Sequence, residues 1–324
     1  MKCRITKTLA ILALCAPFSG PASANAIFPD KPIKLVVPFS TGTALDLVAR
    51  VVAQKLSVEL GSPVVVDNRL GASGLIGTEA AAKAQADGYT LLFTSPAHYL
   101  NQYLYKSLPY DAVEDFTPVT KISNAQLVLA VSRNSQFSTA GEVLDYAKAN
   151  PNKLRYSSAG LGSTTQLSSA LMNAMAGVKI EHVPYKSGSQ ALTDVMGGHV
   201  DMTFTAVATA LPHANGGTLK VLGVSGLQRS QSMPDVPTLA ESAVPDYELV
   251  SWSGAFAPKG TPDAVIEKLN AAMVKIAEEP EFQARLVAMG VEPDVMSSDV
   301  FKKLIKDDLP KWKRIAELSG AVQK

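Results

Sequence analysis

Two short loops rich in glycine, serine and threonine carry the residues of this sequence that are best suited to chemistry. The first loop, residues 38–43, and the second loop, residues 157–165, each connect a predicted strand to a predicted helix. Such a connection directs unpaired backbone N–H groups, hydroxyls and the positive end of a helix dipole toward one point, where an anion binds favourably. The candidate binding residues of the two loops are Phe39, Ser40, Thr41, Gly42, Thr43, Ser158, Ala159, Gly160, Gly162, Ser163 and Thr164.

Each loop taken alone is also compatible with an ordinary strand-to-helix turn that has a normal helix cap. Two matching loops favour binding, because two domains could then hold one anion from both sides. The other motifs point away from catalysis. No G-x-S-x-G elbow and no G-x-x-x-x-G-K-[ST] loop is present, and Gly160-Leu-Gly162 lacks the third glycine of a dinucleotide-binding motif.

Metal and cofactor sites are not expected either. The four histidines are not paired with one another at metal-ligand spacing, and the two cysteines, Cys3 and Cys15, lie at the N-terminus. Scattered Asp and Glu residues leave paired-carboxylate catalysis open, so a hydrolase of carboxylate esters or amides is an alternative. We nevertheless expect a protein that is not an enzyme and that binds no cofactor.

The elements that would position the two loops alternate between strand and helix along the chain. Apolar runs predict strands over residues 33–37, 63–67, 89–94, 127–131, 154–157, 180–183, 200–205 and 219–224. Helical spacing and caps predict helices over residues 44–60, 78–86, 139–150, 165–176 and 261–279, and a last one from residue 298 that Pro310 should kink. This alternation predicts an α/β fold with mostly parallel sheets.

The first 26 residues have the order of a secretory signal peptide. Lys2, Arg4 and Lys7 precede an uncharged apolar run over residues 8–18, and A-x-A sites place cleavage near residue 24 or 26. A membrane anchor and a lipoprotein signal at Cys15 are alternatives, but the apolar run is about half of the ~20 residues that span a bilayer. We therefore expect a protein exported to the periplasm.

The charge and the length of the chain limit the remaining classes of function. The formal charge of +1 becomes −2 once the three signal-peptide cations are removed. Such a chain has no electrostatic footprint for nucleic acid and no polybasic patch for a membrane surface. About 300 mature residues usually form two domains.

Several segments, in order along the whole mature chain, match the sequence pattern of one protein family. They include Phe28-Pro-Asp-Lys-Pro-Ile-Lys-Leu-Val-Val-Pro-Phe39, Asp87-Gly-Tyr-Thr-Leu-Leu92, Tyr156-Ser-Ser-Ala-Gly160, Val183-Pro-Tyr-Lys186, Val200-Asp-Met202 and Pro234-Asp-Val-Pro-Thr238. With these segments the chain resembles the Bug family, the periplasmic solute-binding proteins of tripartite tricarboxylate transporters.

The resemblance implies a two-domain type II periplasmic-binding-protein fold with a crossover-strand hinge and an interdomain cleft. One domain would comprise residues 27–125 and 226–324, and the other residues 126–225. A monomer would bind a small organic carboxylate in the cleft through the two loops and deliver it to the membrane subunits of a transporter. A periplasmic sensor that presents its ligand to a receptor would have the same fold and site.

Five further residues are candidates for the cleft, each with an ordinary structural alternative. The resemblance places Ser95 and Asp201 near the ligand, although Asp201 is also compatible with a solvated strand end. Asp46 could help to shape the cleft or simply be an acidic residue favoured in a first helical turn. His98 could contact ligand or lie at the surface, and Tyr185 could form a wall of the cleft or pack in the core. Beside these five, Trp252 could form the same wall or pack in the core. Departures from the family pattern at Thr43, Gln166 and Thr205-Ala206 predict a ligand whose distal part is not strongly cationic.

Overall fold

A computed structural model describes residues 28–71 and 74–319, and the predicted signal peptide lies outside them. Its strands are β1 (Ile33–Val37), β2 (Val64–Asn68), β3 (Thr90–Thr94), β4 (Phe116–Ser132), β5 (Arg155–Ser158), β6 (Glu181–Pro184), β7 (Met202–Ala206), β8 (Leu219–Val224), β9 (Val250–Pro258) and β10 (Glu292–Met296). Its helices are α1 (Ala44–Leu60), α2 (Leu75–Ala82), α3 (Ala97–Leu104), α4 (Ala140–Ala149), α5 (Thr164–Ala176), α6 (Gly188–Met196), α7 (Val207–Asn215), α8 (Leu239–Ser242), α9 (Asp263–Ala277), α10 (Pro280–Ala288) and α11 (Ser298–Ser319).

The α/β class is confirmed, but the expectation of mostly parallel sheets is wrong. The strands follow the order β2-β1-β3-β9-β4-β7-β5-β6, with β8 and β10 also paired to β4. Pairs β1–β2, β1–β3, β5–β6 and β5–β7 are parallel. All four pairings of β4, and the pairing of β3 with β9, are antiparallel. The chain passes back through the middle of the sheet, which strand–helix alternation does not reveal.

The long strand β4 joins two groups of strands. Its first part, up to Gln126, pairs with β9 and β10, while its second part, from Leu127, pairs with β7 and β8. In the predicted two-domain arrangement, this shared strand would carry the hinge. The predicted limits of the two domains, residues 125 and 225, lie beside the points where the chain passes from one group of strands to the other. These limits remain a prediction.

Hydrogen bonds of the buried Ser225 side chain connect the segments in which the chain passes from one group of strands to the other. Its hydroxyl accepts the Leu127 amide at 2.9 Å and donates to the Leu249 carbonyl at 2.6 Å. Next to it, the Gly226 amide donates to the Gln126 side chain at 3.1 Å. Three stretches of chain therefore meet at one hydrogen-bonded point.

Apolar packing follows the two groups of strands, apart from helices α3 and α11. Residues of β1, β3, α1 and α9 share one buried cluster, and residues of β5, β7, α4 and α5 share another. The C-terminal helix α11 contributes Trp312 and Ile315 to the second cluster, although Phe301 at its start packs near β9. Helix α3 likewise contributes Leu100 and Leu104 to the second cluster, although Tyr99 packs against Phe256 of β9. Pro310 lies inside α11, and the helix continues past it to Ser319.

Within the described residues, no helix combines the length and the apolarity that a membrane crossing requires.

Gly254 in β9 gives a test of this packing. A Cβ there would lie 2.7 Å from the ring of buried Phe301 and 3.0 Å from the Thr120 carbonyl oxygen. We expect Gly254→Ala to lower the free energy of unfolding by about 1–3 kcal/mol through overpacking. The control is Gly141→Ala on α4, where the new Cβ would meet nothing closer than 3.8 Å. Because alanine loses less conformational freedom than glycine in a helix, this variant should raise the free energy of unfolding by roughly 0.5–1 kcal/mol. Urea denaturation measures both, and an unchanged midpoint for Gly254→Ala would contradict the packing described.

Candidate functional site

The first loop is held by its own cap and by Asp46. Thr43 is the N-cap of α1: its hydroxyl accepts the Asp46 amide at 3.3 Å and donates to the Ser40 carbonyl at 2.9 Å. The Gly42 amide donates to the Asp46 carboxylate at 2.9 Å. Gly42 has a φ of 81°, a left-handed conformation that glycine adopts without a steric cost.

Asp46 is a structural carboxylate rather than a free one. Only 1% of it is exposed, and it also accepts hydrogen bonds from Arg50 at 3.0 Å and from Asn68 at 2.9 Å. Burial alone would raise the pKa of Asp46, but the hydrogen bonds from Arg50, Gly42 and Asn68 and the positive charge of Arg50 together lower it below 3.8. Asp46 is therefore ionised at neutral pH and braces the first loop.

The second loop repeats this arrangement with different residues. Ser163 is the N-cap of α5, and its hydroxyl accepts the Gln166 amide at 3.3 Å and donates to the Gly160 carbonyl at 2.6 Å. The Gly162 amide donates to the Gln166 side chain at 3.2 Å, and Gly162 has a φ of 75°. Gln166 thus has the same position in the second loop as Asp46 has in the first, with an uncharged amide instead of a carboxylate.

The two helix starts leave backbone donors for a ligand. In an α-helix the first N–H groups have no intrahelical acceptor, and here the cap hydroxyls take only the third amide of each helix, those of Asp46 and Gln166. The amides of Ala44 and Leu45 on α1, and of Thr164 and Thr165 on α5, remain. Together with the positive ends of both helix dipoles they favour a negative charge between them.

A cavity of about 230 Å³ opens at these helix starts. It takes residues from both groups of strands and from β4, the strand that joins them. The lining residues are Phe39, Thr43, Ala44, Leu45, Val48, Ser95, Ser123, Ala125, Leu127, Thr164, Ala206, Ser251, Trp252, Ser253 and Val291.

The structure brings four of the predicted residues into this lining, namely Phe39, Thr43, Ser95 and Thr164. Ser40, Gly42, Gly160, Gly162 and Ser163 support the lining through the loop hydrogen bonds described above. Thr41 lies in the same first loop and is exposed. In the second loop the Ala159 amide donates to the Thr165 hydroxyl at 3.0 Å.

Ser158 lies at the start of the second loop but is fully buried. Its hydroxyl oxygen is 2.6 Å from Nε2 of His182, accepts the Gly160 amide at 3.1 Å and lies 3.2 Å from the Gly160 carbonyl. Burial lowers the pKa of His182, so the ring is neutral near pH 7. Neither residue lines the cavity, so this serine–histidine pair does not present a nucleophile to a bound ligand.

The structure places His98 away from the cavity lining. His98 is 1% exposed, its Nε2 donates to the Ala112 carbonyl at 2.7 Å, and its ring packs against Tyr99, Tyr110 and Phe116. Burial lowers the pKa of this histidine to about 4, so it is uncharged. The sequence offered no sign of this, because α3 had not been predicted and residue 98 therefore read as part of a loop.

Asp201 and Tyr185 are also outside the lining. The Asp201 carboxylate accepts the Arg155 amide at 2.7 Å, which puts it at the start of β5, whereas the second loop follows the end of that strand. The Tyr185 hydroxyl donates to Asp194 on α6 at 2.5 Å. Only the backbone of Tyr185 approaches the second loop, with its amide 3.0 Å from the Ser158 carbonyl.

Sequence reasoning missed most of the apolar and serine lining. Ser251 and Ser253 come from β9, whose bounds were not predicted, and Ser123 and Ala125 come from the part of β4 before residue 127. Trp252, also on β9, had been considered as a wall of the cleft, and it does line the cavity. The alternation of serine with larger residues over 250–253 was the available signal, because alternate residues of a strand face the same side.

Comparison with known proteins gives the family of this chain. The family described as "Tripartite tricarboxylate transporter family receptor" matches residues 48–320. The chain belongs to this family. Protein BugT of Bordetella pertussis is 33% identical over 320 residues, which cover 98% of either chain. The resemblance to the Bug family is thereby confirmed.

Two solved structures are similar over nearly their whole length. "R. palustris Rpa4515 with adipate" has a TM-score of 0.82 and 33% identity, and the match covers 90% of this chain and 98% of that one. "MatC (Rpa3494) from Rhodopseudomonas palustris with bound malate" has a TM-score of 0.76 and 28% identity, covering 89% and 100%. Both relatives are described with a bound carboxylate.

Among the residues that the structure describes, no three His, Cys, Asp or Glu side chains lie together as a metal site would need.

Asp46→Asn tests the bracing of the first loop. An amide NH₂ in place of either carboxylate oxygen would face a donor, so we expect a loss of about 1–3 kcal/mol in the free energy of unfolding at pH 7. Because the folded pKa of Asp46 is lowered, its contribution is complete above pH 3.8 and is lost as the pH falls through the folded value. The stability difference between wild type and variant, from urea denaturation, should therefore shrink at about pH 3. An equal difference at both pH values would refute the charged role of Asp46.

Proposed function

We propose that this protein captures a small organic carboxylate between its two loops and delivers it to the membrane subunits of a tripartite tricarboxylate-type transporter. One observation carries the proposal: the starts of α1 and α5, with matching caps and φ-positive glycines, open on one cavity. The similar proteins described with adipate and with malate support a carboxylate as the occupant.

Binding would couple the two groups of strands. A carboxylate that receives hydrogen bonds from α1 on one side and from α5 on the other stabilises the arrangement in which both are close. The strand β4 and the hydrogen bonds of Ser225 form the joint about which the groups would move. The transporter would then recognise the ligand-bound arrangement of a monomer.

A binding role agrees better with the site than an enzymatic one does. Ser158 and His182 form the one serine–histidine pair met in the described loops, and the serine is buried out of reach of the cavity. The family is one of solute-binding proteins, and its periplasmic setting matches the export signal proposed for residues 1–26.

Removing the two cap hydroxyls tests the proposal. Thr43→Ala and Ser163→Ala each release a loop carbonyl and a helix amide, at a cost of about 1 kcal/mol in stability. We expect the affinity for hexanoate, p-toluate, adipate or malate, whichever wild type binds, to fall roughly fivefold or more by calorimetry.

The matched control is Thr139→Ala, which removes the same kind of cap from α4. It should cost similar stability and leave the affinity unchanged, because α4 does not line the cavity. Failure of wild type to bind any small carboxylate, or equal affinities for all four proteins, would refute the proposed function.

A further inference from the structure

We infer that the ligand is a small monocarboxylate with an uncharged, mainly apolar body, rather than a dicarboxylate or tricarboxylate. The inference rests on the proposed function and specifies its ligand class. It follows from the part of the cavity lining that does not belong to the helix starts.

Beyond the helix starts the lining is mainly apolar, and its polar side chains are the uncharged serines Ser95, Ser123, Ser251 and Ser253. Side chains of Val48, Leu127, Trp252 and Val291, with the small residues Ala125 and Ala206, form much of the wall. Such a wall gains free energy when it covers an apolar group and gives nothing to an ion. One end of the cavity therefore suits a carboxylate, and the rest suits an apolar body.

None of the lining residues carries a charge. The charged side chains next to them in the chain are already bonded to protein. Glu292, which follows Val291, accepts hydrogen bonds from Gln126 at 3.1–3.2 Å, and Lys121 is paired with Asp294. These groups are bonded within the protein, so none of them offers a free positive charge to a second ligand carboxylate.

The polar atoms of the wall are neutral and few: the hydroxyls of Ser95 and Ser251, the Ser123–Ser253 pair and the indole N–H of Trp252. The hydroxyls of Ser123 and Ser253 lie 2.6 Å apart and are bonded to each other. The indole N–H of Trp252, which is 4% exposed, has no acceptor among the described residues. It could serve one neutral acceptor on the ligand body, but one N–H cannot satisfy the roughly four acceptor positions of a carboxylate.

The size of the cavity agrees with a small ligand. Its volume of about 230 Å³ lies below the roughly 300–1,000 Å³ of sites for drug-sized molecules. A carboxylate with a short chain or a single ring fills such a space and leaves few apolar atoms of the wall in contact with water.

Matched ligand pairs test the inference on the mature chain, unfolded and refolded to remove any co-purified ligand. The pairs are p-toluate with terephthalate and hexanoate with adipate, because each replaces a methyl by a second carboxylate. We expect the monocarboxylate of at least one pair to bind about tenfold or more tightly than its partner by calorimetry, because the second charge stays uncompensated.

Dicarboxylate affinity equal to or greater than that of the monocarboxylate in both pairs would overturn the inference and leave the proposed function intact. Absence of binding for all four acids would instead refute the proposed function, and the inference with it. The two failures are therefore distinguishable.

A cation added to the wall gives a second test. Ser251 lines the cavity and is half-buried, so Ser251→Lys would place an ammonium there. The ratio of adipate to hexanoate affinity should rise about tenfold or more. Val58→Lys, at a position that is 81% exposed on α1, adds the same charge away from the cavity and should leave the ratio unchanged. Equal ratios in the two variants would overturn the inference, and the wild-type pairs decide it if Ser251→Lys does not fold.

Discussion

The first-turn amides of two helices are the constraint on which the site depends. A helix cannot satisfy its own first N–H groups, and the caps Thr43 and Ser163 each satisfy only one of them. The remaining donors cost free energy when they are buried without a partner, and an anion supplies that partner. In both loops the cap hydroxyl and the amide of the preceding glycine, Gly42 or Gly162, are already bonded within the loop, which leaves the first two helix amides for the ligand.

The strand β4 is what allows two separate helix starts to share one cavity. It is part of both groups of strands, and Ser123, Ala125 and Leu127 along it line the cavity that lies between them. A ligand held from both sides therefore acts across the point where Ser225 bonds the passing segments together. On the proposed function, the binding of a small molecule and the arrangement of the two groups of strands would be one equilibrium.

Much of the anion-binding part was predictable from sequence, because it depends on local signals. Glycine, a cap residue and helical spacing lie close together in the chain, and helix α1 was predicted with the bounds that it has. Most of the apolar wall was not predictable, because Leu127 and Val291 line one cavity only through long-range antiparallel pairing of β4. Trp252 could be considered as a wall of the cleft from sequence, but no local signal separated it from a core aromatic residue. For the same reason sequence alone could not separate buried His98 from a loop histidine, nor assign Asp201 to the far end of its strand.

The crystal structure of the protein with bound p-toluate or hexanoate tests the central claim most directly. The account predicts one carboxylate group that receives N–H hydrogen bonds from the first turns of both α1 and α5, with the body of the ligand against Trp252 and Leu127. A carboxylate bonded to only one of the two helices, or seated outside this cavity, would contradict it.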